Sequence, residues 1–194
     1  MPILLYNVSW MLYNCFLAIL ALGFGYFFLV SNNSIVKVIF GILWILFLPN
    51  TIYIFTDLVH LIDQWPLLSQ QYRILLIVQY IILQFVGLVT FLFSLYPFET
   101  IILPRNLHKR KKVRYVIIFN FFIAFAMVLG RVERINSWDV VLRPTIVISS
   151  AFHVLFSLNL VGLLILFGLL CNCFYFLFRG WVLHTAKRFS EVLD

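Results

Sequence analysis

The sequence predicts an all-α fold, a polytopic transmembrane helix bundle with five spans, and three observations support this class. The chain has 194 residues, of which 64% are apolar in the set that includes Tyr and Cys, and only 11% are charged. A soluble domain has about 25% charged residues, and a globule of this size cannot bury so much apolar surface. The apolar residues also form long runs. These features exclude a soluble enzyme, a disordered chain, a secreted disulfide scaffold and a nucleic-acid-binding domain.

The spans follow from apolar runs of about 20 residues, the length that a helix needs to cross the hydrocarbon core of a bilayer. The predicted spans are residues 10–30, 35–55, 74–96, 115–129 and 145–178. Helices are expected rather than barrel strands, because lipid cannot satisfy exposed backbone polar groups and the runs are too long for strands. Since no linker or internal repeat interrupts them, residues 1–194 are predicted to form a single integral-membrane domain.

The last run, residues 145–178, is the longest and leaves three alternatives open. A helix over its 34 residues would measure about 50 Å, against a hydrocarbon core of about 30 Å. The run therefore forms one long helix that extends beyond the bilayer, a helix broken around Ser157-Leu158-Asn159, or two short spans.

The positions of the basic residues predict the orientation of the chain. Six of the fourteen Lys and Arg lie between Arg105 and Arg114, and short basic loops mark the cytoplasmic side of a membrane. With five spans, ten of the fourteen fall on that side: Lys37, the 105–114 stretch, Arg179, Lys187 and Arg188. We therefore expect an outer N-terminus, a cytoplasmic C-terminus and a location in the cell (cytoplasmic) membrane. The expected partners are the lipid bilayer and anionic headgroups at Arg105–Arg114, and nucleic acid is not among them.

The first polar motif lies in residues 48–61, where the second span ends. Pro49 removes a backbone donor and frees the carbonyl of Ile45, and Asn50 is expected to help satisfy this break. If helix resumes at Pro49, polar residues spaced three and four apart share one face, within an arc of about 80°. The polar face consists of Asn50, Tyr53, Asp57, His60 and Gln64, and the opposite, lipid-compatible face consists of Ile52, Phe55, Val59 and Ile62.

The second polar motif, residues 130–139, follows the fourth span and falls on the same predicted outer side. Arg131 and Arg134 are spaced i, i+3, which predicts that they share a helix face. Asn136-Ser137 is typical of a helix stop followed by a new N-cap. Asp139 then lies in a first helical turn, where the dipole favours it, and is expected to pair with Arg143 at i, i+4.

The two motifs read Leu-Pro-Asn-x-x-Tyr-x-x-Thr-Asp-Leu-x-His-Leu and Gly-Arg-x-x-Arg-x-Asn-Ser-Trp-Asp. These motifs and the order of the spans resemble the bacterial integral-membrane family known as domain of unknown function 1361. The resemblance covers essentially the whole chain. It implies an uncharacterised multi-span membrane protein and adds no activity, cofactor or residue role.

Three function classes stay open for the polar outer face that the two motifs are predicted to form. The first is binding of a lipid-like or anionic ligand, with candidate ligand-binding residues Asn50, Tyr53, Asp57, His60, Arg131, Arg134, Asn136 and Asp139. The second is a membrane-embedded hydrolase or transferase, with Asp57, His60 and Asp139 as candidates for general acid–base chemistry. The third is a non-catalytic assembly partner.

A metal-dependent enzyme is one form of the second class, with Asp57, His60 and His153 as candidate ligands. Helices that bind metals more often place two His at i, i+4, and a lone histidine such as His153 more often packs between helices than binds a metal. A purely structural alternative is an ion pair of Asp57 with Arg131 or Arg134, because an unpaired charge near hydrocarbon costs at least a few kcal/mol. In that case His60 and Asn50 are expected to face the same cavity. The sequence identifies no cofactor.

Overall fold

The computed structural model describes the backbone of residues 2–104 and 106–193 and the side chains of residues 3–104, 106–186 and 188. Arg105 of the predicted basic stretch and the side chain of Lys187 lie outside the described residues. The described chain is helical and contains no strand. It forms two compact units, Met1–Ser94 and Leu95–Asp194.

Three long helical segments make up the first unit. Helix α1 is Pro2–Val30, and α2 is Ser34–Phe47, capped by the Asn33 side chain, which accepts hydrogen bonds from the backbone N–H groups of Ile35 and Val36. The second segment continues from Pro49 as α3 (Pro49–Tyr53), a 3₁₀ turn (Ile54–Asp57), α4 (Leu58–Gln64) and a second 3₁₀ turn (Trp65–Leu67). The third segment is α5 (Gln70–Ser94).

Helix α1 packs against α2 and α5, and α3 packs against α5. Gly87 allows this last approach, because a Cβ atom at this position would lie 2.9 Å from Ile54 Cγ2 and 3.2 Å from the carbonyl oxygen of Thr51. The indole of the buried Trp44 donates a hydrogen bond to the carbonyl of Ser94, at 2.8 Å. These contacts hold the segment that carries the first polar motif firmly against α5.

The second unit begins with a short π-helical segment, Phe98–Ile102. It continues with α6 (Lys109–Arg131), α7 (Asp139–Leu142), α8 (Pro144–Phe156) and α9 (Leu158–Leu193). Helices α6 and α9 pack together. The predicted run 145–178 is broken at Ser157, whose backbone is extended (φ −91°, ψ 114°). Of the three alternatives, the structure thus has the broken helix.

Within the described residues, five helical segments are long and apolar enough to cross a membrane. They are Ile3–Val30, Ser34–Leu67, Gln70–Ile102, Lys109–Arg131 and Leu158–Ala186. Only 22% to 39% of the most apolar window in each segment is buried, so most of its apolar side chains are left for lipid to cover. Helix α8, at about 20 Å, is too short to span the core. Their number agrees with the predicted five spans and makes the chain a multi-pass membrane protein. The fifth segment begins at Leu158 and not at residue 145 as predicted, because the run is broken at Ser157.

Candidate functional site

The two residues that follow Pro49 change the hydrogen bonding of the helix at the break. Helix resumes at Pro49, as predicted, but the N–H of Thr51 turns to the carbonyl of Leu48, at 3.1 Å. This leaves the carbonyl of Phe47 without its usual helical donor, and the side-chain amide of Asn50 donates to it at 3.0 Å. Asn50 therefore satisfies a backbone carbonyl beside the break, but that carbonyl belongs to Phe47 and not to Ile45 as expected.

The predicted polar face of residues 50–64 is interrupted by the 3₁₀ turn Ile54–Asp57. A 3₁₀ helix advances about 120° per residue instead of about 100°, so four residues rotate the following faces by about 80°. Ile52, predicted to face lipid, is fully buried, and this prediction was wrong. After the turn the pattern holds, because Asp57 is buried while Val59 and Ile62 are exposed.

The polar residues that follow the turn face polar residues of α1. The Asn14 amide donates to Asp57 Oδ2 at 2.8 Å. Asn7 and Gln64 exchange two amide hydrogen bonds, at 2.7 and 3.0 Å, and the Trp10 indole donates to Asn7 Oδ1 at 3.1 Å. Sequence reasoning missed these partners on α1. Their signal was present, since Asn7, Trp10 and Asn14 are spaced three and four residues apart in an otherwise apolar span.

His60 and Tyr53 are both half-buried. The described contact of His60 is an edge-to-face packing on Trp10, with ring centroids 5.7 Å apart. Trp10 also packs on Tyr80, at 6.3 Å, and the buried Tyr80 hydroxyl has no hydrogen-bond partner among the described residues. This arrangement puts an imidazole beside an aromatic surface.

The structure gives the metal hypothesis no support in the part of the chain that it describes. There, no group of three or more His, Cys, Asp or Glu side chains is arranged to hold a metal ion. The candidate ligand His153 instead has a partner of its own, because its Nδ1 lies 2.8 Å from Glu133 Oε1. The His153 side chain is 64% exposed, so it is not enclosed by helix packing.

The second motif leaves the helix earlier than its spacing predicts. Helix α6 ends at Arg131, and Arg134 adopts a left-handed backbone with φ 55°. The expectation that Arg131 and Arg134 share a helix face was therefore wrong. The N–H of Ile135 closes this end of the helix by donating to the carbonyl of Leu129, at 3.2 Å, and Arg134 is left exposed.

Asp139 holds the segment that follows in place through hydrogen bonds. Its buried carboxylate accepts a hydrogen bond from the backbone N–H of Asn136 at 2.8 Å. On its other oxygen it accepts from Nε and Nη2 of Arg143, at 2.9 and 2.6 Å, which confirms the predicted i, i+4 pair. Helix α7 begins at Asp139 itself, with Trp138 rather than Ser137 at the N-cap.

These partners determine the chemistry open to Asp139. The Asn136 N–H, and after it the Arg143 guanidinium, hold the pKa of the Asp139 carboxyl below its usual range. A general acid or base works best with a pKa near the operating pH. Asp139 therefore suits a structural role better than the catalytic one for which it was a candidate.

Two polar pairs of the second unit were missed by sequence reasoning. Arg179 donates two hydrogen bonds to Glu99, and the Asn120 amide donates to Asn172 Oδ1 at 3.0 Å. Each pair joins helical segments far apart in the chain, so residue spacing gave no sign of it. The signal was the presence of polar residues within or beside apolar runs.

The predicted pairing of Asp57 with Arg131 or Arg134 joins residues that belong to different units. That pairing, and a common site formed by the two motifs, stay predictions.

A comparison with protein families gives one match. A family model described as "Protein of unknown function (DUF1361)" matches residues 13–174, which is more than half of the chain and includes both motifs. No curated protein and no solved structure matches the chain significantly.

Proposed function

Because the chain belongs to the DUF1361 family, whose function is unknown, we propose from its own side chains that it binds a lipid-like, anionic ligand through residues 130–139. The observation that carries the proposal is the exposed Arg134 in a left-handed conformation. Such a backbone costs a non-glycine residue about 1–2 kcal/mol. Strained residues of this kind cluster at ligand-binding and active sites, where the surrounding structure maintains them.

The surroundings of Arg134 favour a site that is organised before the ligand arrives. The Ile135–Leu129 backbone hydrogen bond fixes one side of the segment, and the hydrogen bonds of Asp139 fix the other. A rigid site loses less entropy when it binds a ligand. Glu133 contacts His153 and Asp139 contacts Arg143, so the described contacts of the two acids of the segment are with residues other than Arg134.

The chemical class of the ligand follows from Arg134 and from Trp138, four residues later in the same segment. A guanidinium binds phosphate or carboxylate oxygens through two parallel hydrogen bonds. Trp138 is 51% exposed, and exposed tryptophan is typical of the interfacial layer of a bilayer. We therefore expect a phosphate group at headgroup depth, supplied by a phospholipid or by a soluble phosphate.

Trp138 also provides the reporter for the test. The purified chain in nanodiscs is exposed either to brominated phosphatidylglycerol or to inorganic phosphate. The part of the tryptophan quenching that disappears in Trp138→Phe is assigned to Trp138. Phosphatidylglycerol is expected to quench Trp138 more than brominated phosphatidylcholine does, and competition by inorganic phosphate would identify a soluble ligand. Arg134→Gln is expected to weaken binding at least about tenfold, the value of a hydrogen bond to a charged group.

The matched control is Arg114→Gln, which removes an exposed arginine from the other end of α6. It should leave the Trp138 signal unchanged. Equal binding by Arg134→Gln and the unmodified chain would end the proposal.

We further propose that the N-terminus lies outside and the C-terminus in the cytoplasm, in the cytoplasmic membrane. The distribution of basic residues supports this orientation. Reporter fusions after residue 110 and at the C-terminus should both read cytoplasmic, and a C-terminal fusion that is active outside would contradict it.

A second candidate function, acid–base catalysis by Asp57 and His60, is favoured by one observation. Asp57 is 2% exposed although it lies in a membrane-spanning segment, and ionisable groups in such segments are usually functional. If this site is catalytic, Asp57→Asn should abolish turnover while the protein still folds. Elemental analysis and native mass spectrometry of the purified chain distinguish the classes, because a stoichiometric metal favours an enzyme and a retained lipid favours a binding protein.

A further inference from the structure

The start of α6 carries a dense group of basic side chains. Lys109, Arg110, Lys111 and Arg114 are exposed, and Lys112 is half-buried. Successive helical residues are about 100° apart, so these charges surround the helix end. The first turn of α6 contains no acidic residue, although the helix dipole disfavours cations at this position. The sequence thus accumulates positive charge where the helix itself opposes it.

The end of α9 lies beside the start of α6. The two helices pack antiparallel, because Asn120 contacts Asn172 while Glu133, just beyond the end of α6, contacts His153 before the start of α9. Lys111 lies nine residues before Asn120, and Trp181 lies nine residues after Asn172. A rise of 1.5 Å per residue carries both about 14 Å toward the same end of the helix pair.

Toward this end of the helix pair, the exposed side chains change from apolar to aromatic to basic, as expected at a bilayer boundary. Nearer the centre of the helices, the exposed side chains are apolar, such as Ile118 (57% exposed) and Leu177 (70%). Tyr115 and Trp181 follow, 47% and 50% exposed. Beyond them come the basic residues of α6 and, on α9, the exposed His184 and Arg188. Aromatic residues favour the interface of a membrane, so the basic residues lie at the depth of the headgroups.

One acid lies in the neighbouring π segment but does not cancel these charges. Glu99 is 7% exposed and both of its oxygens accept hydrogen bonds from Arg179. Arg179 is thereby held inside the unit and is not part of the exposed basic group. Among the side chains that the structure describes, the exposed charges at this end therefore belong to Lys109, Arg110, Lys111 and Arg114 of α6 and Arg188 of α9.

We propose that this basic end, formed by Lys109, Arg110, Lys111 and Arg114 with Arg188, is a binding surface for the headgroups of anionic phospholipids. Charge complementarity and its depth beside Tyr115 and Trp181 select a lipid in the bilayer over a soluble anion. The surface is separate from the segment 130–139 of the proposed function. Helix α6 is about 34 Å long, so its two ends lie on opposite sides of a core of about 30 Å.

Trp181 allows the surface to be tested in the intact chain. The protein is placed in nanodiscs of phosphatidylcholine that contain, at equal mole fraction, either brominated phosphatidylglycerol or brominated phosphatidylcholine. The part of the tryptophan quenching that disappears in Trp181→Phe is assigned to Trp181 and reports the lipid at this end. We expect an apparent affinity about fivefold or more in favour of phosphatidylglycerol, since one basic residue near an anionic surface contributes about that factor. High salt should reduce the preference.

The decisive variant carries Lys109→Gln, Arg110→Gln and Lys111→Gln together. It should show a preference for phosphatidylglycerol several-fold smaller than that of the unmodified chain, because only Arg114 and Arg188 of the surface remain. An unchanged response to brominated phosphatidylcholine shows that Trp181 still lies at the interface. Arg134→Gln is the matched control and should retain the preference at Trp181.

Three outcomes would overturn the proposal: equal quenching of the unmodified chain by the two lipids, a preference that the triple substitution leaves undiminished, or displacement of the lipid by inorganic phosphate. Because Trp138 reports the other end of the molecule, failure at Trp181 is distinguishable from failure of the proposed function.

Discussion

The carboxylate of Glu99 accepts hydrogen bonds from both Nε and Nη2 of Arg179, at 2.7 and 2.9 Å. The pair ties the π segment Phe98–Ile102 to α9. Removing two charges from water is expensive, so such a pair contributes little by itself, but removal of one partner leaves the other buried and uncompensated. The effect of a substitution at Glu99 or Arg179 on stability therefore depends on which residue occupies the other position.

Arg179→Met is expected to lower the free energy of unfolding by about 2–3 kcal/mol. This is less than for a fully buried pair, because the Arg179 side chain is 28% exposed and water screens it in part. Thermal unfolding of the detergent-solubilised protein measures the change. Adding Glu99→Gln should recover part of the loss, since no buried charge then stands alone. A single substitution that leaves the midpoint unchanged would contradict this account.

The Glu99–Arg179 pair and the Asp139–Arg143 pair show which contacts a sequence can predict. The second was predicted because residues four apart in a helix are neighbours whatever the rest of the fold does. The first joins residues 80 positions apart, and their distance depends on how the helical segments pack. For the same reason Asp57 was a candidate from its position, while its partner Asn14 was not found.

The errors have a common physical origin in the backbone. Apolar runs predicted the number of spans, because length and hydropathy are local properties. They placed the start of the fifth span at residue 145, whereas the structure has it at Leu158. The predicted helix faces of Ile52 and Arg134 were wrong for one reason each. A 3₁₀ turn separates Ile52 from the later residues of its predicted face, and a left-handed backbone at Arg134 takes it off the face of Arg131. Packing and hydrogen bonding in the folded chain select these conformations, and residue periodicity assumes that they are absent.

Gly87→Ala is expected to destabilise the protein by about 1–3 kcal/mol, the usual effect of overpacking. The new methyl group would lie 2.9 Å from Ile54 Cγ2, beside the backbone of Thr51, which cannot yield easily. The matched control is Gly162→Ala, where no atom lies within 4 Å and alanine favours the helix. Thermal unfolding of the two variants should diverge, and an equal response would contradict the close approach of α3 to α5.

Asp139→Asn is expected to lower the thermal midpoint at neutral pH, with a dependence on pH that identifies the cause. The pKa of Asp139 is lowered by the Asn136 N–H and by Arg143, so its stabilising effect is fully present above the pKa of the unfolded chain, about 4. The effect is lost as the pH falls through the lower pKa of the folded protein. The difference between the midpoints of the two proteins should therefore shrink below about pH 4.

The control for this titration is Asp63→Asn, because the Asp63 side chain is exposed. It should change the midpoint little at any pH. A difference between Asp139→Asn and the unmodified chain that stays constant on acidification would show that the lost stability does not come from the charge.

Arg134→Gly distinguishes the effect of the Arg134 backbone strain on stability from the effect of its guanidinium on lipid binding. Glycine adopts a φ of 55° without a Cβ clash, so the substitution should raise the free energy of unfolding by about 1 kcal/mol. The same change removes the guanidinium, and quenching of Trp138 by brominated phosphatidylglycerol should fall to the level of brominated phosphatidylcholine. Arg134→Lys keeps the charge without the planar fork and should bind at an intermediate level. A glycine variant that retains the lipid preference would exclude Arg134 from the site. If the glycine variant unfolds more easily than the unmodified chain, the Arg134 side chain stabilises the segment 130–139 by more than the strained Arg134 backbone costs.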